Sequence, residues 1–131
     1  MKPAQRIDSL VGATVKIQGN VEFAGGLRID GCVCGNVAGR VGEPSTLVLS
    51  EQGCIEGEIQ SCVVVVNGAV RGSVRGTEYV ELQPKASVTG DVYYKTIEIQ
   101  LGALVDGRLV HEESDGGGKI VALKHPATSI E

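Results

Sequence analysis

Four cysteines, two histidines and one pair of adjacent carboxylates are the residues of this chain whose types could do chemistry. Cys32 and Cys34 stand two residues apart, and Cys54 and Cys62 follow. Thiolates in such a group could ligate a metal or exchange a disulfide. Zinc sites, however, favour Cys-x2-Cys spacing with a fourth ligand, and Cys32-Val33-Cys34 lacks both. His111 and His125 both come late in the chain, and Glu112-Glu113 opens a polar stretch. No Ser-His-Asp set can be placed on one surface. No catalytic, cofactor-binding or metal-binding residue is therefore assigned, and no cofactor is expected.

The elements that position these side chains are repeats. The unit is aliphatic-x-Gly-x-aliphatic. It reads Ile17-Gln18-Gly19-Asn20-Val21, Val33-Cys34-Gly35-Asn36-Val37, Ile55-Glu56-Gly57-Glu58-Ile59, Val70-Arg71-Gly72-Ser73-Val74, Val88-Thr89-Gly90-Asp91-Val92 and Val105-Asp106-Gly107-Arg108-Leu109. Successive glycines lie 16, 22, 15, 18 and 17 residues apart. Two residues before five of the six units stands a small residue: Gly31, Gly53, Gly68, Ala86 and Ala103. A second element, aliphatic-x-aliphatic, occurs as Leu27-Arg28-Ile29, Leu47-Val48-Leu49, Val63-Val64-Val65, Val80-Glu81-Leu82 and Ile97-Glu98-Ile99. Spacing of two puts both aliphatics on one face of a strand. One copy cannot bury its apolar face alone, whereas stacked copies pair their backbones at about 4.8 Å and share a core. The glycine column supplies tight corners without a Cβ penalty.

Composition agrees. Hydrophobic residues make up 42% of the 131 residues but aromatics only 3%, so the interior must be built from Val, Ile and Leu. Those residues favour strands, and 19 glycines spread along the chain weaken helices. The expected fold is all-β, a single-chain parallel β-helix of about six rungs, roughly 25–30 Å long. Residues 1–12 form a lead-in, 13–110 the β-helix and 111–131 a flexible polar tail. Residues 38–46 are expected as an external loop, and Pro84 as a bend between faces. A net charge of −4 leaves no basic footprint for nucleic acid. The start lacks the apolar stretch of a signal peptide, so the cytoplasm is the default compartment. The cysteines are then expected as free thiols. Cys32 and Cys54 nevertheless share a column on successive rungs, about 5 Å apart and within disulfide reach.

The rungs Ile29-Asp30-Gly31-Cys32-Val33-Cys34-Gly35-Asn36-Val37 and Gly53-Cys54-Ile55-Glu56-Gly57-Glu58-Ile59 resemble those of bactofilins, bacterial polymer-forming cytoskeletal proteins. The resemblance covers about residues 10–110. It implies a right-handed, triangular β-helix that assembles end to end into non-polar filaments without nucleotide. It also implies a role in cell shape or in localising cell-envelope enzymes, with association at the inner face of the inner membrane. Family members often attach through a short apolar N-terminal tail; here residues 1–9 hold only Met1 and Ile7 as sizeable apolar residues. Two other readings stand beside this one. One is a β-helix scaffold that docks a protein partner without polymerising. The other is a hexapeptide-repeat acyltransferase, which would want a strict six-residue period and a rung-borne histidine.

The expected partner is the chain itself. A β-helix is open at both ends, exposing unpaired strands and aliphatic side chains. End contacts are expected from Ile17, Val21 and Phe23 at one end and from Ile97, Ile99, Leu101 and Leu109 at the other. If Val63 and Val65 point inward, Val64 and Val66 point out beside Val48 and make a small lateral patch. That patch is open to three readings: scattered surface valines, lateral pairing of filaments, or a cover formed by Ile120, Val121 and Leu123 hinged at Gly116-Gly117-Gly118. Glu56 over Arg71 and Asp91 over Arg108 are expected to fix register. Glu81 over Glu98 is a like-charge pair expected to be solvated.

Overall fold

The computed structural model describes residues 7–112. They form sixteen short strands, β1 (Ser9–Val11), β2 (Lys16–Gln18), β3 (Val21–Phe23), β4 (Gly25–Ile29), β5 (Cys32–Cys34), β6 (Val37–Gly39), β7 (Ser45–Leu49), β8 (Cys54–Glu56), β9 (Ile59–Val66), β10 (Ala69–Arg71), β11 (Val74–Leu82), β12 (Ser87–Thr89), β13 (Val92–Tyr94), β14 (Ile97–Ile99), β15 (Leu104–Asp106) and β16 (Leu109–His111). Every pairing is parallel, and there is no helix among the described residues.

The pairings resolve into three faces of six strand segments each. The first runs β1-β4-β7-β9-β11-β14, the second β2-β5-β8-β10-β12-β15, and the third β3-β6-β9-β11-β13-β16. The long strands β9 and β11 each turn a corner and serve two faces. The chain is thus a β-helix of about six turns, as the repeat predicts.

Two inward ladders follow the expected register residue by residue. Ile17, Val33, Ile55, Val70, Val88 and Val105 are stacked partners on the second face. Val21, Val37, Ile59, Val74, Val92 and Leu109 are stacked on the third. The middle rungs of both are fully buried. Between these faces the glycine corner repeats. Gly57 has φ +152°, and a Cβ there would collide with the carbonyl oxygen of Gly35 one rung below. Asn side chains cap the same corner: the Asn36 amide donates to Asn20 Oδ1 and the Glu58 amide to Asn36 Oδ1, each at 2.9 Å.

The first face corrects one expectation. Leu47 pairs with Val64 and Leu49 with Val66, and Val64 and Val66 are both at 0% exposure in the core. Val63 and Val65 therefore point outward, and Val48 lies beside Val65. Strict alternation from Ile59 would turn Val63 inward. The corner at Ser61-Cys62 resets the parity, with Ser61 Oγ donating to the buried Ser45 Oγ at 3.0 Å and the Cys62 amide to the same oxygen at 3.1 Å. In β11 the same corner holds an extra residue, a register shift between Gly76 and Tyr79.

Smaller differences concern the loops and the tail. The excursion is shorter than expected: β6 runs through Gly39 and β7 begins at Ser45, leaving residues 40–44 outside the coil. Residues 83–86 make the bend at Pro84, closed by Ala86 N donating to Gln83 O at 2.9 Å. His111 is the last residue of β16 and packs its ring 5.5 Å from that of Tyr94, so it belongs to the final rung and not to the tail. His125, the glycine run and Ile120, Val121 and Leu123 lie outside the described residues.

Candidate self-association surfaces

Each face ends in a strand with a single described partner strand. At one end these are β1, β2 and β3; at the other, β14, β15 and β16. Of the expected end residues, Ile17 and Val21 stand on the first rung, half-buried against the core. Ile97 and Leu109 stand likewise on the last rung. Ile99 is 45% exposed and Leu101, at the corner after β14, is 97% exposed. Phe23 differs. It lies on the first rung but is buried against the core, because a ring at a corner can turn inward where the neighbouring rung offers only Gly39.

Three end residues went unnoticed in the sequence. Leu10 and Val15 are exposed on the first rung and Leu104 on the last, at 60%, 43% and 66%. Leu104 stands one position before Val105, on the outward side of the strand, where the rungs below carry Ser87 and Ala69. A large apolar residue in an otherwise small, polar outward column is the signal that could have found it.

The cysteines correct a second expectation. Cys32 and Cys54 are register partners with Cα atoms 4.7 Å apart and are joined in a disulfide. The shared column is as expected; the oxidised state is not. Cys34 and Cys62 are free thiols. No group of three or more His, Cys, Asp or Glu among the described residues could hold a metal.

Charges on the outward columns behave in two ways. Asp91 accepts from the Arg108 amide at 3.0 Å and from its guanidinium at 3.3 Å, which hold its carboxyl below the ordinary 3.8. Arg75 lies over the Tyr93 ring, 4.4 Å from its centre, and also pairs with Glu112. These groups are at least partly solvated. Glu81 is not. It stands on the outward column of the first face, in register with Val65 below and Glu98 above, yet has 0% exposure. Its Oε2 accepts from Gln100 Nε2 at 2.7 Å and Gln83 Nε2 at 3.2 Å. Beside it the Tyr79 hydroxyl donates to Glu98 at 2.6 Å. That bond, with burial and the charges of Glu98 and Glu81, pushes the Tyr79 phenol up to about 12. The expectation that the Glu81–Glu98 pair is simply solvated is thus overturned at Glu81.

The described coil ends in strands with one described partner each, a geometry onto which further copies could stack. Residues 9–110 match the bactofilin family model, described as polymer-forming cytoskeletal. The chain belongs to the bactofilin family. It is 26% identical over 102 residues to Bactofilin BacO of Myxococcus xanthus (strain DK1622), across 78% of each chain. No solved structure matches it. The match begins at the first residue of β1 and ends inside β16, so it spans the whole β-helix and neither flank. Membership makes this a polymer-forming cytoskeletal protein, in a family of structural proteins rather than enzymes. No helix of the described residues is long and apolar enough to cross a membrane.

Proposed function

We propose that this bactofilin polymerises end to end, without nucleotide, by stacking the first rung of one copy or the last rung of another onto a neighbouring coil. In this reading the filament is a scaffold in cell shape or in the positioning of cell-envelope enzymes, at the cytoplasmic face of the inner membrane. The observation that carries it is the state of the two ends. Each presents three strands with one ladder edge unused by any described strand, and each presents exposed aliphatics: Leu10 and Val15 at one end, Ile99, Leu101 and Leu104 at the other. Fully burying one such side chain contributes about 1.5–3 kcal/mol, so a few per end outweigh much of the entropy cost of association. A new interface would also continue the parallel ladder at its normal spacing of about 4.8 Å.

The test is electron microscopy and pelleting of purified protein in nucleotide-free buffer. Filaments are expected for the native chain. Leu104→Asp or Leu10→Asp, both at exposed positions, should yield short or monomeric species that keep the native circular dichroism spectrum. Filaments of undiminished length in both variants would sink the end-to-end reading.

A further inference from the structure

The outward side of the third face is complementary to its own reversal. One outward column runs Glu22, Ala38, Gln60, Arg75, Tyr93 and Val110 from the first rung to the sixth. Beside it, one residue after each corner glycine, run Asn20, Asn36, Glu58, Ser73, Asp91 and Arg108. All of these residues are exposed or half-buried. The surface they make is uneven. Ala38 ends at its Cβ, and a hollow of about 300 Å³ reaches from Asn36 and Ala38 on the second rung to Tyr93 on the fifth. Tyr93 is the one aromatic residue of its column. Its ring is held from two sides, by the Arg75 guanidinium 4.4 Å from its centre and by a hydrogen bond from its hydroxyl to Asp91.

We infer that two copies of the chain pair side by side through this face, with their coil axes antiparallel and the Tyr93 ring of each seated over Ala38 of the other. Reversing one coil brings the second rung opposite the fifth and the third opposite the fourth. Three matches then arise together. The ring on the fifth rung meets the hollow on the second. Glu58 on the third rung comes beside Arg75 on the fourth, so opposite charges meet. The Asn36 side chain comes to the Asp91 carboxylate. A two-fold axis makes each of these contacts occur twice. Two copies running in the same direction would instead put Arg75 level with Arg75 and Glu58 level with Glu58, where like charges repel. Charge and size thus select a reversed second copy as the occupant. The contact is small. Six strands spaced at about 4.8 Å give a face roughly 25 Å long and about 10 Å wide, less than the ~800 Å² that each partner buries in a stable complex. Single coils therefore pair weakly, and pairing tightens where copies joined end to end make many such contacts at once.

The test is cross-linking between full-length chains in a Cys34→Ser/Cys62→Ser background without reductant. One protein carries Ala38→Cys and the other Tyr93→Cys, and a short bis-maleimide is added to each alone and to their mixture. A mixed pair keeps one Tyr93–Ala38 contact and brings the two introduced thiols opposite each other. The mixture should cross-link at least about tenfold faster than either protein alone, the factor that a 1.4 kcal/mol preference for the reversed register gives. Glu58→Arg in both proteins should slow the mixture about threefold or more, and adding Arg75→Glu to both should restore it. Leu104→Asp in both should leave the preference of the mixture over the single proteins unchanged, which separates this contact from end-to-end stacking. Equal rates in the mixture and in the single proteins would overturn the inference. So would faster reaction of the Ala38→Cys protein with itself, the mark of a parallel pair. Should either cysteine variant fail to fold, Ala38→Arg reads the same contact by electron microscopy and sedimentation. It fills the hollow and should abolish side-by-side pairs, and pairing undiminished in that variant would overturn the inference as well.

Discussion

The second face and the first face of this β-helix have the same inside and different outsides. Inward, both present a continuous aliphatic ladder: Val33, Ile55, Val70 and Val88 on one, Leu47, Val64, Val80 and their partners Leu49, Val66 and Leu82 on the other, all essentially inaccessible. Outward, the second face presents Glu56, Arg71 and Thr89 to solvent, whereas the first buries Val65 and Glu81. The repeat dictates only the inside, because each rung must match its neighbours to close the core. The outside is free to vary, and the variation marks where the coil is more than a rod. The largest test of this contrast is substitution of equivalent inward residues. Ile55→Ala and Leu82→Ala should each destabilise by about 2–5 kcal/mol, since both leave a cavity among neighbours that cannot collapse onto it. Chemical denaturation measures it, and a large disparity between the two would break the claim of a common interior.

The second face carries one feature that the first lacks, the Cys32–Cys54 disulfide between successive rungs. It closes a loop with a sequence separation of 22 residues. Cross-linking a loop of that length restricts the unfolded chain by an amount worth about 3 kcal/mol in the chain-entropy account. Reduction should lower the melting temperature, and Cys32→Ser/Cys54→Ser should match the reduced native protein while becoming insensitive to reductant. A melting temperature unmoved by reductant would show that the pair contributes nothing to stability.

Smaller in size but sharper for the comparison is truncation of outward residues. Arg71→Ala on the open face should change stability by no more than about 0.5 kcal/mol. Val65→Ala, also outward, removes two buried carbons and should cost about 1.5 kcal/mol at roughly 0.8 per methylene. Equal effects would mean that Val65 is not covered in solution and would remove the contrast between the faces.

The same contrast explains what could be read in the sequence. The ladders from Ile17 to Val105 and from Val21 to Leu109 were legible because each aliphatic is tied to a glycine corner at a fixed offset. The run Val63-Val64-Val65-Val66 was not, since four identical residues carry no period of two and a one-residue slip exchanges the faces. An offset was nevertheless available: Ile29 precedes Gly31 by two residues, as Val66 precedes Gly68, and that analogy places Val66 inward. Burial of Glu81 had no local signal. Its neighbour Glu98 argued for solvent, and the amides that satisfy it, Gln83 and Gln100, come from a bend and from the rung above. For the disulfide, geometry was readable and redox state was not, because column position fixes distance and says nothing of the oxidant. Among end residues, Leu101 is fully exposed after the last first-face strand, while Phe23 lies on the first rung with its ring turned into the core, a direction that its place in the sequence does not show.

The smallest expected effect concerns two outward carboxylates at corners. Asp30 accepts from the Arg28 guanidinium at 2.9 Å, and hydrogen bonding by Ser50 and then by Arg28 holds its carboxyl below the ordinary 3.8. The amide and then the side chain of Arg108 do the same for Asp91. A carboxylate with a folded-state value below its unfolded one binds protons more readily when unfolded. Its stabilising contribution is therefore complete above the unfolded value and disappears as the pH falls through the folded one. Asp30→Asn and Asp91→Asn should each melt slightly below the native protein at neutral pH, with the gap closing as the pH falls below the ordinary carboxylate value of 3.8 and through the lowered folded one. Both pairs are solvent-screened, so the differences should also shrink in high salt. A gap that persists undiminished to the lowest pH would mean that the loss comes from the altered corner geometry and not from the charge.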